Sequence, residues 1–343
     1  PEIERIEGGE IIAPGFIDLQ VNGGGGVLLN EEPTVEGIAT ICAAHAKFGT
    51  TALLPTLITD TPDISARTVA AGIDAKTRGI RGFLGLHLEG PHLSVARKGA
   101  HDPKLIRPME DRDLDLMLSC GRALDVLMVT IAPESVTQEQ VTKLADAGII
   151  VSLGHTEASY DTAAAYAKAG IRTVTHLFNA MSPLGHREPG LVGAALDTGA
   201  LYAGLIADGI HVHPAAMGAA LRAKAGPGKI FLVTDAMSTI GTDMTSFTLN
   251  CREILRKDGR LTLADGTLAG ADIDMISSVR YVHRNLGLSL EKALRMASAY
   301  PAQAARIENR KGFLKPGYDA DFVVLGADLS MKSTWISGEC AYA

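Results

Sequence analysis

Short apolar stretches recur along the chain and alternate with amphipathic segments. Eight of these stretches have the composition of β-strands, and they lie near residues 11–20, 51–57, 82–88, 126–131, 149–153, 173–177, 202–206 and 230–234. Helical patterns lie between most of them, near residues 34–48, 63–77, 138–147, 159–169 and 214–225. A glycine follows each helical pattern, as is common at helix ends. Alternation of strands and helices predicts a parallel sheet.

The predicted strands are almost continuously apolar, which is typical of strands buried on both faces. Eight such strands, most of them followed by a helix, predict a (β/α)8 TIM-like barrel. A barrel takes about 250 residues, so a chain of 343 residues has room for an accessory element. The hydrophobic pattern therefore predicts an α/β protein with a barrel over residues 14–309.

Two further regions have the pattern of antiparallel β-structure. Residues 315–339 are rich in turns and short β runs, and they predict a small accessory β-sandwich made by residues 310–343 with residues 1–13. Few residues precede Ile11, so we expect the N-terminal partner strands of this small domain to be missing. Residues 236–270 contain a predicted hairpin, formed by SFTLNCREI and GRLTLADG.

Four polar residues stand where predicted strands end: Glu89 in GLHLEGPH, His155 in VSLGHT, His176 in TVTHLFNA and Asp235 in FLVTDAM. In (β/α)8 enzymes the active site lies at the C-terminal ends of the strands. Two imidazoles and one carboxylate are a common catalytic zinc site. A single histidine in such a place is more often structural, but the four residues together predict a metal-dependent hydrolase. Glu89, His155 and His176 are the predicted ligands, and Asp235 is the predicted proton acceptor and donor.

The net charge and the cysteine content limit which binding partners and which cellular compartment we expect. The formal charge is −7, which predicts no general attraction to nucleic acid or to anionic membranes. The most apolar window, residues 191–210, contains Asp197 and Asp208 and is too short and too charged to span a bilayer. Cys42, Cys120, Cys251 and Cys340 form no CxxC pair, so we expect a reducing, cytoplasmic setting. Without a GxSxG elbow, serine hydrolase chemistry finds no support.

Several segments, taken in order, carry a family resemblance: PGFIDLQVNGGGG, HLEGPHL, KGAH, LGHTEA, THLFNAMSPL, REPG, IADGIHVHP, LVTDAM and GTLAG. Together they resemble the N-acetylglucosamine-6-phosphate deacetylase family of the amidohydrolase superfamily. The resemblance extends over nearly the whole chain. It implies hydrolysis of the acetamide of N-acetylglucosamine 6-phosphate to glucosamine 6-phosphate and acetate, in amino sugar catabolism and recycling.

The end of the first barrel strand departs from the superfamily at large. Many members have His-x-His there, whereas this chain has Gln20 and Asn22. The fourth strand ends without the lysine that bridges two metals in other members, since Ala132 and Pro133 follow Ile131. The resemblance therefore implies a single divalent ion, with Gln20 and Asn22 near it. Zinc is the expected ion, and iron, cobalt and manganese remain open. A plainer interpretation is that the two amides only satisfy backbone groups.

The resemblance also implies the substrate contacts. It assigns the phosphate to Asn179, the backbone of Ala180, Arg187 and His211, and it places His101 beside the scissile amide. Either His101 or His176 is expected to steady the developing oxyanion, and His101 is favoured because His176 is a predicted ligand. Further contacts are implied for Ala100, Leu268, Ala269 and Gly270. A homodimer is implied, in which Arg187 reaches into the neighbouring site. Ala271 stands where the family usually has serine, which leaves substrate preference in that loop open.

Two other functions stay open at this point. One is an amidohydrolase that acts on a cyclic amide or an aminated base, against which the missing His-x-His and the predicted phosphate contacts argue. The other is a binding protein or sensor for sugar phosphates that releases no acetate. The retained set of Glu89, His155, His176 and Asp235 argues against the second. Other N-acetylhexosamine phosphates also remain possible substrates.

Overall fold

The computed structural model describes residues 10–250 and 252–343. Its strands, in chain order, are β1 (Ile11–Pro14), β2 (Phe16–Val21), β3 (Gly23–Gly24), β4 (Val27–Leu28), β5 (Thr50–Ile58), β6 (Gly85–Glu89), β7 (Val126–Ile131), β8 (Ile150–Leu153), β9 (Thr173–Val174), β10 (Tyr202–Ile206), β11 (Ile230–Val233), β12 (Ser246–Leu249), β13 (Arg252–Lys257), β14 (Arg260–Thr262), β15 (Leu268–Ala271), β16 (Phe322–Leu325), β17 (Met331–Ile336) and β18 (Glu339–Tyr342).

The helices lie mainly between the strands of the large sheet. They are α1 (Val35–Ala46), α2 (Pro62–Thr77), α3 (Asp111–Ala123), α4 (Gln138–Asp146), α5 (Tyr160–Ala169), α6 (Gly190–Asp197), α7 (Pro214–Ala223), α8 (Met275–Arg284), α9 (Leu290–Ala297) and α10 (Ala299–Ala304), with a 3-10 helix at Val95–Arg97. Several begin at a threonine or serine whose hydroxyl accepts a backbone N–H of the first turn, such as Thr34 before α1 and Ser159 before α5. In residues 10–250 and 252–343, no helix has the length and apolar character needed to cross a membrane.

Strand β2 and strands β5 to β11 form a parallel sheet that nearly closes on itself. The spatial order is β2, β5, β6, β7, β8, β9, β10, β11. The two ends of this series meet where Val21 bridges Ala236, and there the carboxylate of Asp18 accepts hydrogen bonds from the hydroxyl and the backbone N–H of Thr234. Helices cover the outside, and apolar side chains such as Leu19 and Phe231 fill the inside. The predicted (β/α)8 barrel is confirmed.

The first predicted strand, residues 11–20, is wrong as a single element. The structure divides it at Gly15 into β1, which pairs with β16, and β2, which belongs to the barrel. The apolar pattern runs through both, so it does not reveal where the chain changes sheets. Gly15 lies against Thr51, where a Cβ would come within 2.2 Å of the hydroxyl oxygen, so the crossing leaves no room for a side chain.

The small sheet has the order β1, β16, β17, β18, and all its pairs are antiparallel. Strand β1 supplies a partner for the predicted C-terminal strands. Any strand before Ile11 would fall on residues 1–9, outside the described residues. The division into a barrel over 14–309 and a small domain made of 1–13 with 310–343 stays a prediction.

A second antiparallel sheet, β12 to β15, lies over the C-terminal end of the barrel. The predicted hairpin is wrong in its strand count, because SFTLNCREI spans β12 and the start of β13, GRLTLADG supplies β14, and β15 adds a fourth strand. Phe247, Leu249 and Ile254 of this sheet pack against Ile58 and Met237 at the end of the barrel. The sheet therefore forms part of the wall around the end of the barrel where the predicted site residues lie.

Candidate active site

A cavity of about 260 Å³ opens at the C-terminal end of the barrel. It is lined by most of the predicted site residues: Asn22, Glu89, Ala100, His101, His155, His176, Asn179, Ala180, His211, Asp235, Leu268, Ala269 and Gly270. Gln20 lies beside it and contacts Glu89. Arg187 lies in an exposed loop and is not among the described residues that line this cavity.

Glu89, His155 and His176 converge on one point. The Nε2 atoms of His155 and His176 lie 3.3 and 3.1 Å from Oε1 of Glu89, and 3.0 Å from each other. All three side chains are buried. The structure thus brings together, from the ends of β6, β8 and β9, the three residues that the sequence predicts as ligands.

The donor set fits a divalent metal ion. Nδ1 of His155 donates to the carbonyl of Arg97 at 2.8 Å, so in the neutral ring Nε2 presents a lone pair to the other two side chains. Two nitrogen lone pairs and a carboxylate oxygen this close repel one another unless a cation or a proton lies between them. Burial opposes ionisation of Glu89, yet the two histidines hold its pKa well below its usual range. Two imidazoles with one carboxylate are a ligand set typical of catalytic zinc.

Three of the four key residues have an unusual backbone. The φ angles of His155, His176 and Asp235 are 48°, 29° and 53°, in the left-handed region that residues other than glycine seldom adopt. Each of these residues follows a barrel strand, so the chain turns sharply where the side chain must enter the cavity. Such conformations cost about 1–3 kcal/mol each and persist where the surrounding structure fixes them.

Two amide side chains hold Asp235. Nδ2 of Asn22 donates to Oδ1 of Asp235 at 2.7 Å, and Nε2 of Gln20 donates to the same oxygen at 3.1 Å. Nε2 of Gln20 also lies 3.2 and 3.3 Å from the two oxygens of Glu89. Burial, and next the charge of Glu89, raise the pKa of Asp235 to about 6. The amides therefore bind carboxylates rather than backbone groups, and both donate to Oδ1 of Asp235 rather than to Oδ2.

His101 is oriented as a neutral hydrogen-bond donor. Its Nδ1 lies 3.3 Å from the backbone nitrogen of Thr59, which can only donate, and 2.7 Å from the hydroxyl of the same residue. Because Nδ1 accepts, the proton of the neutral ring is on Nε2. Burial, and next the neighbouring His155, hold the pKa of His101 well below its usual range. A neutral imidazole N–H at the cavity wall suits an oxyanion.

Several structural residues of the site were not predicted from the sequence. His87 lies two positions before Glu89 on its strand, and this period of two was the available signal for an inward-facing side chain. Asp18 gave no such signal, because it lies between the core residues Ile17 and Leu19. His87 contacts Thr130 at 2.7 Å beneath the ligand cluster. Oδ2 of Asp208 lies 2.6 Å from Nδ1 of His211. The available sequence signal for Asp208 was its position just beyond a strand and three residues before a histidine.

The two aspartates that follow Ala271 have structural partners. Asp272 accepts hydrogen bonds from the hydroxyl of Thr239 at 2.8 Å and from Nε of Arg256 at 2.7 Å, and so ties the β12–β15 sheet to the loop after Asp235. Asp274 accepts the backbone N–H of Ser277 and begins helix α8. Ala271 itself is buried in β15, where its backbone N–H donates to the carbonyl of Asp235.

Comparisons with known proteins agree with this geometry. A sequence model described as the amidohydrolase family matches residues 11–341. The chain is 44% identical to an N-acetylgalactosamine-6-phosphate deacetylase of Shewanella sp. (strain ANA-3), with 98% of this chain and 84% of the relative covered. It is 41% identical to an N-acetylglucosamine-6-phosphate deacetylase of Bos taurus, with 99% and 85% covered.

A solved structure extends the comparison to a bound substrate. A mutant of N-acetyl-D-glucosamine-6-phosphate deacetylase from Mycobacterium smegmatis, in complex with N-acetyl-D-glucosamine-6-phosphate, has a TM-score of 0.90 to this chain and 33% identity. The alignment covers 97% of this chain and 87% of that one. The similarity therefore includes both the barrel and the accessory sheets.

Proposed function

Because the chain belongs to the amidohydrolase family, we propose that it hydrolyses the acetamide of N-acetyl-D-glucosamine 6-phosphate. The products are D-glucosamine 6-phosphate and acetate, and the reaction belongs to amino sugar catabolism. The observation that carries the proposal is the convergence of Glu89, His155 and His176 beside Asp235 in one cavity. The names of the Bos taurus relative and of the Mycobacterium smegmatis complex support this choice of substrate.

The proposed mechanism assigns one proton path to Asp235. Its Oδ1 is occupied by the amides of Asn22 and Gln20, so Oδ2 takes the proton from the attacking water and passes it to the leaving nitrogen. His101 donates its Nε2–H to the oxygen of the scissile carbonyl. A divalent ion held by Glu89, His155 and His176 would supply a Lewis acid, which brings the pKa of bound water to about 7.

The proposed ion is a single zinc, with iron, cobalt or manganese as alternatives, because two imidazoles and one carboxylate suit all four. Gln20 and Asn22 occupy the positions of a second ligand pair, but their amide nitrogens donate to carboxylates. Zinc ligands in proteins are imidazoles, thiolates and carboxylates, whereas neutral amides stand at both of these positions. This geometry favours one ion over two.

The proposed substrate contacts lie at one side of the cavity. Asn179, the backbone of Ala180 and His211 would bind the phosphate, and Ala100 with Leu268, Ala269 and Gly270 would enclose the sugar. We assign Arg187 to the phosphate of a neighbouring subunit in a homodimer, because it is exposed in its own chain and close in sequence to the exposed Leu184. We place the protein in the cytoplasm, where the thiols of Cys42, Cys120 and Cys340 remain free.

A second candidate substrate is N-acetyl-D-galactosamine 6-phosphate. The observation that favours it is the 44% identity to the Shewanella relative of that name. The two sugar phosphates differ only in the configuration of the hydroxyl at C4. The acetamide, the phosphate and the predicted contacts with both are the same for either epimer.

The test is acetate release from both sugar phosphates and from unphosphorylated N-acetylglucosamine. The protein is assayed before chelation, after chelation, and after zinc, iron, cobalt or manganese is restored. We expect metal-dependent release from N-acetylglucosamine 6-phosphate and far slower release from the unphosphorylated sugar. Preference for the galacto epimer would favour the second candidate. A folded, metal-loaded protein that releases no acetate from either sugar phosphate would contradict the proposal.

A further inference from the structure

We propose that Asp208 is a positioning residue for phosphate recognition, because its carboxylate orients the imidazole of His211 toward the cavity. This inference rests on the proposed function, in which His211 binds the phosphate. Asp208 itself is not among the described residues that line the cavity. Its effect on the substrate would therefore be exerted through His211.

The geometry of Asp208 is fully determined by its neighbours. Oδ2 lies 2.6 Å from Nδ1 of His211, and Oδ1 accepts the backbone N–H groups of Ile210 and His211, each at 2.8 Å. The side chains of Asp208 and His211 are 6% and 7% exposed, so solvent competes little with this contact. One carboxylate thus fixes both the turn after β10 and the ring that the turn carries.

The turn has little freedom to take another shape. Gly209 has a φ of 75°, and a Cβ at this position would come within 2.3 Å of the hydroxyl oxygen of Tyr281 on helix α8. The Asp208 carboxylate and the Tyr281 side chain therefore restrict the backbone between Asp208 and His211 from two sides. His211 enters the cavity wall from a rigid support, which lowers the entropy lost when it binds a ligand.

The charge of Asp208 determines what His211 can offer a ligand. Although burial opposes ionisation, the His211 ring and the two backbone N–H donors hold the pKa of Asp208 below its usual range. The carboxylate accepts a hydrogen bond from Nδ1–H, which leaves Nε2 as the ring nitrogen available to the cavity. A lone pair there would repel a phosphate oxygen. Contact with the phosphate therefore requires a proton between Nε2 and the phosphate oxygen, supplied by solvent or by the phosphate monoanion.

The contacts then form one series: the Asp208 carboxylate, the His211 ring and the phosphate. Charge-assisted hydrogen bonds are about twice as strong as neutral ones, and this series has a charged group at each end. The other two contacts proposed within the same chain, the amide of Asn179 and the backbone of Ala180, have no charged group behind them. We therefore infer that His211, held by Asp208, makes the strongest contact that one chain directs at the phosphate.

The experiment compares Asp208→Asn, His211→Ala and the double variant. Asparagine keeps an oxygen for the backbone N–H groups, but it removes the charge and places an amide nitrogen, which donates, where the second oxygen accepts from Nδ1 of His211. Asp208→Ser is a second variant, because serine can also accept these bonds but is too short to hold the ring. Asp243→Asn is the matched control, since Asp243 is an exposed carboxylate in the loop after β11, at the same end of the barrel. Melting temperatures verify that each variant is folded.

We expect Asp208→Asn to raise KM for the phosphorylated sugar by about 10- to 100-fold, with kcat changed by less than about threefold. Turnover of unphosphorylated N-acetylglucosamine should not change. In the His211→Ala background, the same substitution should add less than about twofold, because Asp208 acts through the ring. The Asp243→Asn control should match the wild type on both sugars.

Three results would overturn the inference: an unchanged KM, an equal loss on the phosphorylated and unphosphorylated sugars, or effects of the two single variants that multiply in the double variant. Affinity for glucosamine 6-phosphate relative to glucosamine, measured by calorimetry, tests the same contact without turnover. A wild type that binds the phosphate but releases no acetate would refute the proposed function and leave Asp208 testable by this ratio.

Discussion

Asp235, the proposed general base, lies in an energetically costly environment. It is buried, lies near the carboxylate of Glu89, and has a backbone φ of 53°. The amides of Asn22 and Gln20 compensate by donating to one of its oxygens. Such a combination of burial, a like charge and backbone strain is typical of a functional residue rather than of one selected for stability.

Replacing Asp235 with asparagine tests its role as the base. The substitution keeps the size of the side chain but removes the proton acceptor, so we expect kcat to fall by about 10²- to 10⁴-fold. Metal content, measured by elemental analysis, should stay the same because the proposed ligands are Glu89, His155 and His176. Asp243→Asn serves as the control for a general loss of charge. Turnover of Asp235→Asn within tenfold of the wild type would remove Asp235 from the proton path.

The pH dependence of the rate follows from the same residue. Asp235 accepts a proton only as a carboxylate, and its pKa is about 6 in the absence of a metal. A divalent ion nearby stabilises the carboxylate and lowers this pKa. We therefore expect kcat/KM to fall as the pH drops, with the acid limb at pH 6 or below and a slope of about tenfold per pH unit. A limb above pH 7, with metal content constant, would assign the titration to another group.

The sequence allowed a better prediction of the residues that line the cavity than of the residues that support them. Glu89, His155 and His176 stand at strand ends, where fold and chemistry indicate the same role. Asp208 and Asp18 act through contacts with partners such as His211 and Thr234, and only the tertiary structure brings Asp18 and Thr234 together. The positive φ angles of the site residues could not be predicted from the sequence either, because histidine and aspartate adopt positive φ far less often than glycine does.

Among the secondary-structure elements, barrel closure between β2 and β11 bears most directly on the site. Gln20 lies on β2 and Asp235 directly follows Thr234, and the backbone N–H of Asp235 donates to the carbonyl of Gln20 at 2.9 Å. The Thr234 hydroxyl donates to Asp18 at 2.5 Å across the same seam. These contacts between β2 and the residues after β11 therefore position Asp235 relative to the amides of Gln20 and Asn22, and they also close the barrel.

Thr234→Val tests this seam with a change of nearly constant volume. It removes the donor to Asp18 and leaves a buried carboxylate short of a partner, so we expect the free energy of unfolding to fall by about 1–3 kcal/mol. Thr173→Val is the matched control, since Thr173 is buried in the barrel and its hydroxyl has no hydrogen-bond partner among the described residues. Urea denaturation measures both. Equal destabilisation by the two variants would show that the Asp18 contact contributes nothing specific.

The predicted elements differ most from the structure where strands are short or change partners. Strand β7, residues 126–131, matches its prediction, since it is buried on both faces and has a clear turn at each end. Strand β9 contains only Thr173 and Val174, because the chain turns into the site before the apolar run ends at Leu177. The apolar pattern of a sequence reflects burial. Burial continues through such a turn, although the hydrogen bonds between neighbouring strands end there.

At the scale of the whole molecule, the proposed site is incomplete in one chain. The cavity wall contains His211 and Asn179, but the exposed Arg187 is not among its described residues. Leu184, in the same loop, is 58% exposed. An exposed apolar residue close to an exposed arginine is a typical element of a protein interface. The proposed homodimer would cover this loop and bring Arg187 to the phosphate of the neighbouring site.

Subunit mixing can separate this arrangement from a role of Arg187 within its own chain. Arg187→Ala and Asp235→Asn are each expected to have little activity. Equilibrating equal amounts of the two variants should give about half mixed dimers, each with one complete site, and so about a quarter of the wild-type activity. In that site, Asp235 comes from one chain and Arg187 from the other. Mixing Asp235→Asn with a double variant that carries both substitutions is the control and should restore nothing. No recovery after verified subunit exchange, or a wild type that is monomeric by light scattering, would contradict the shared site.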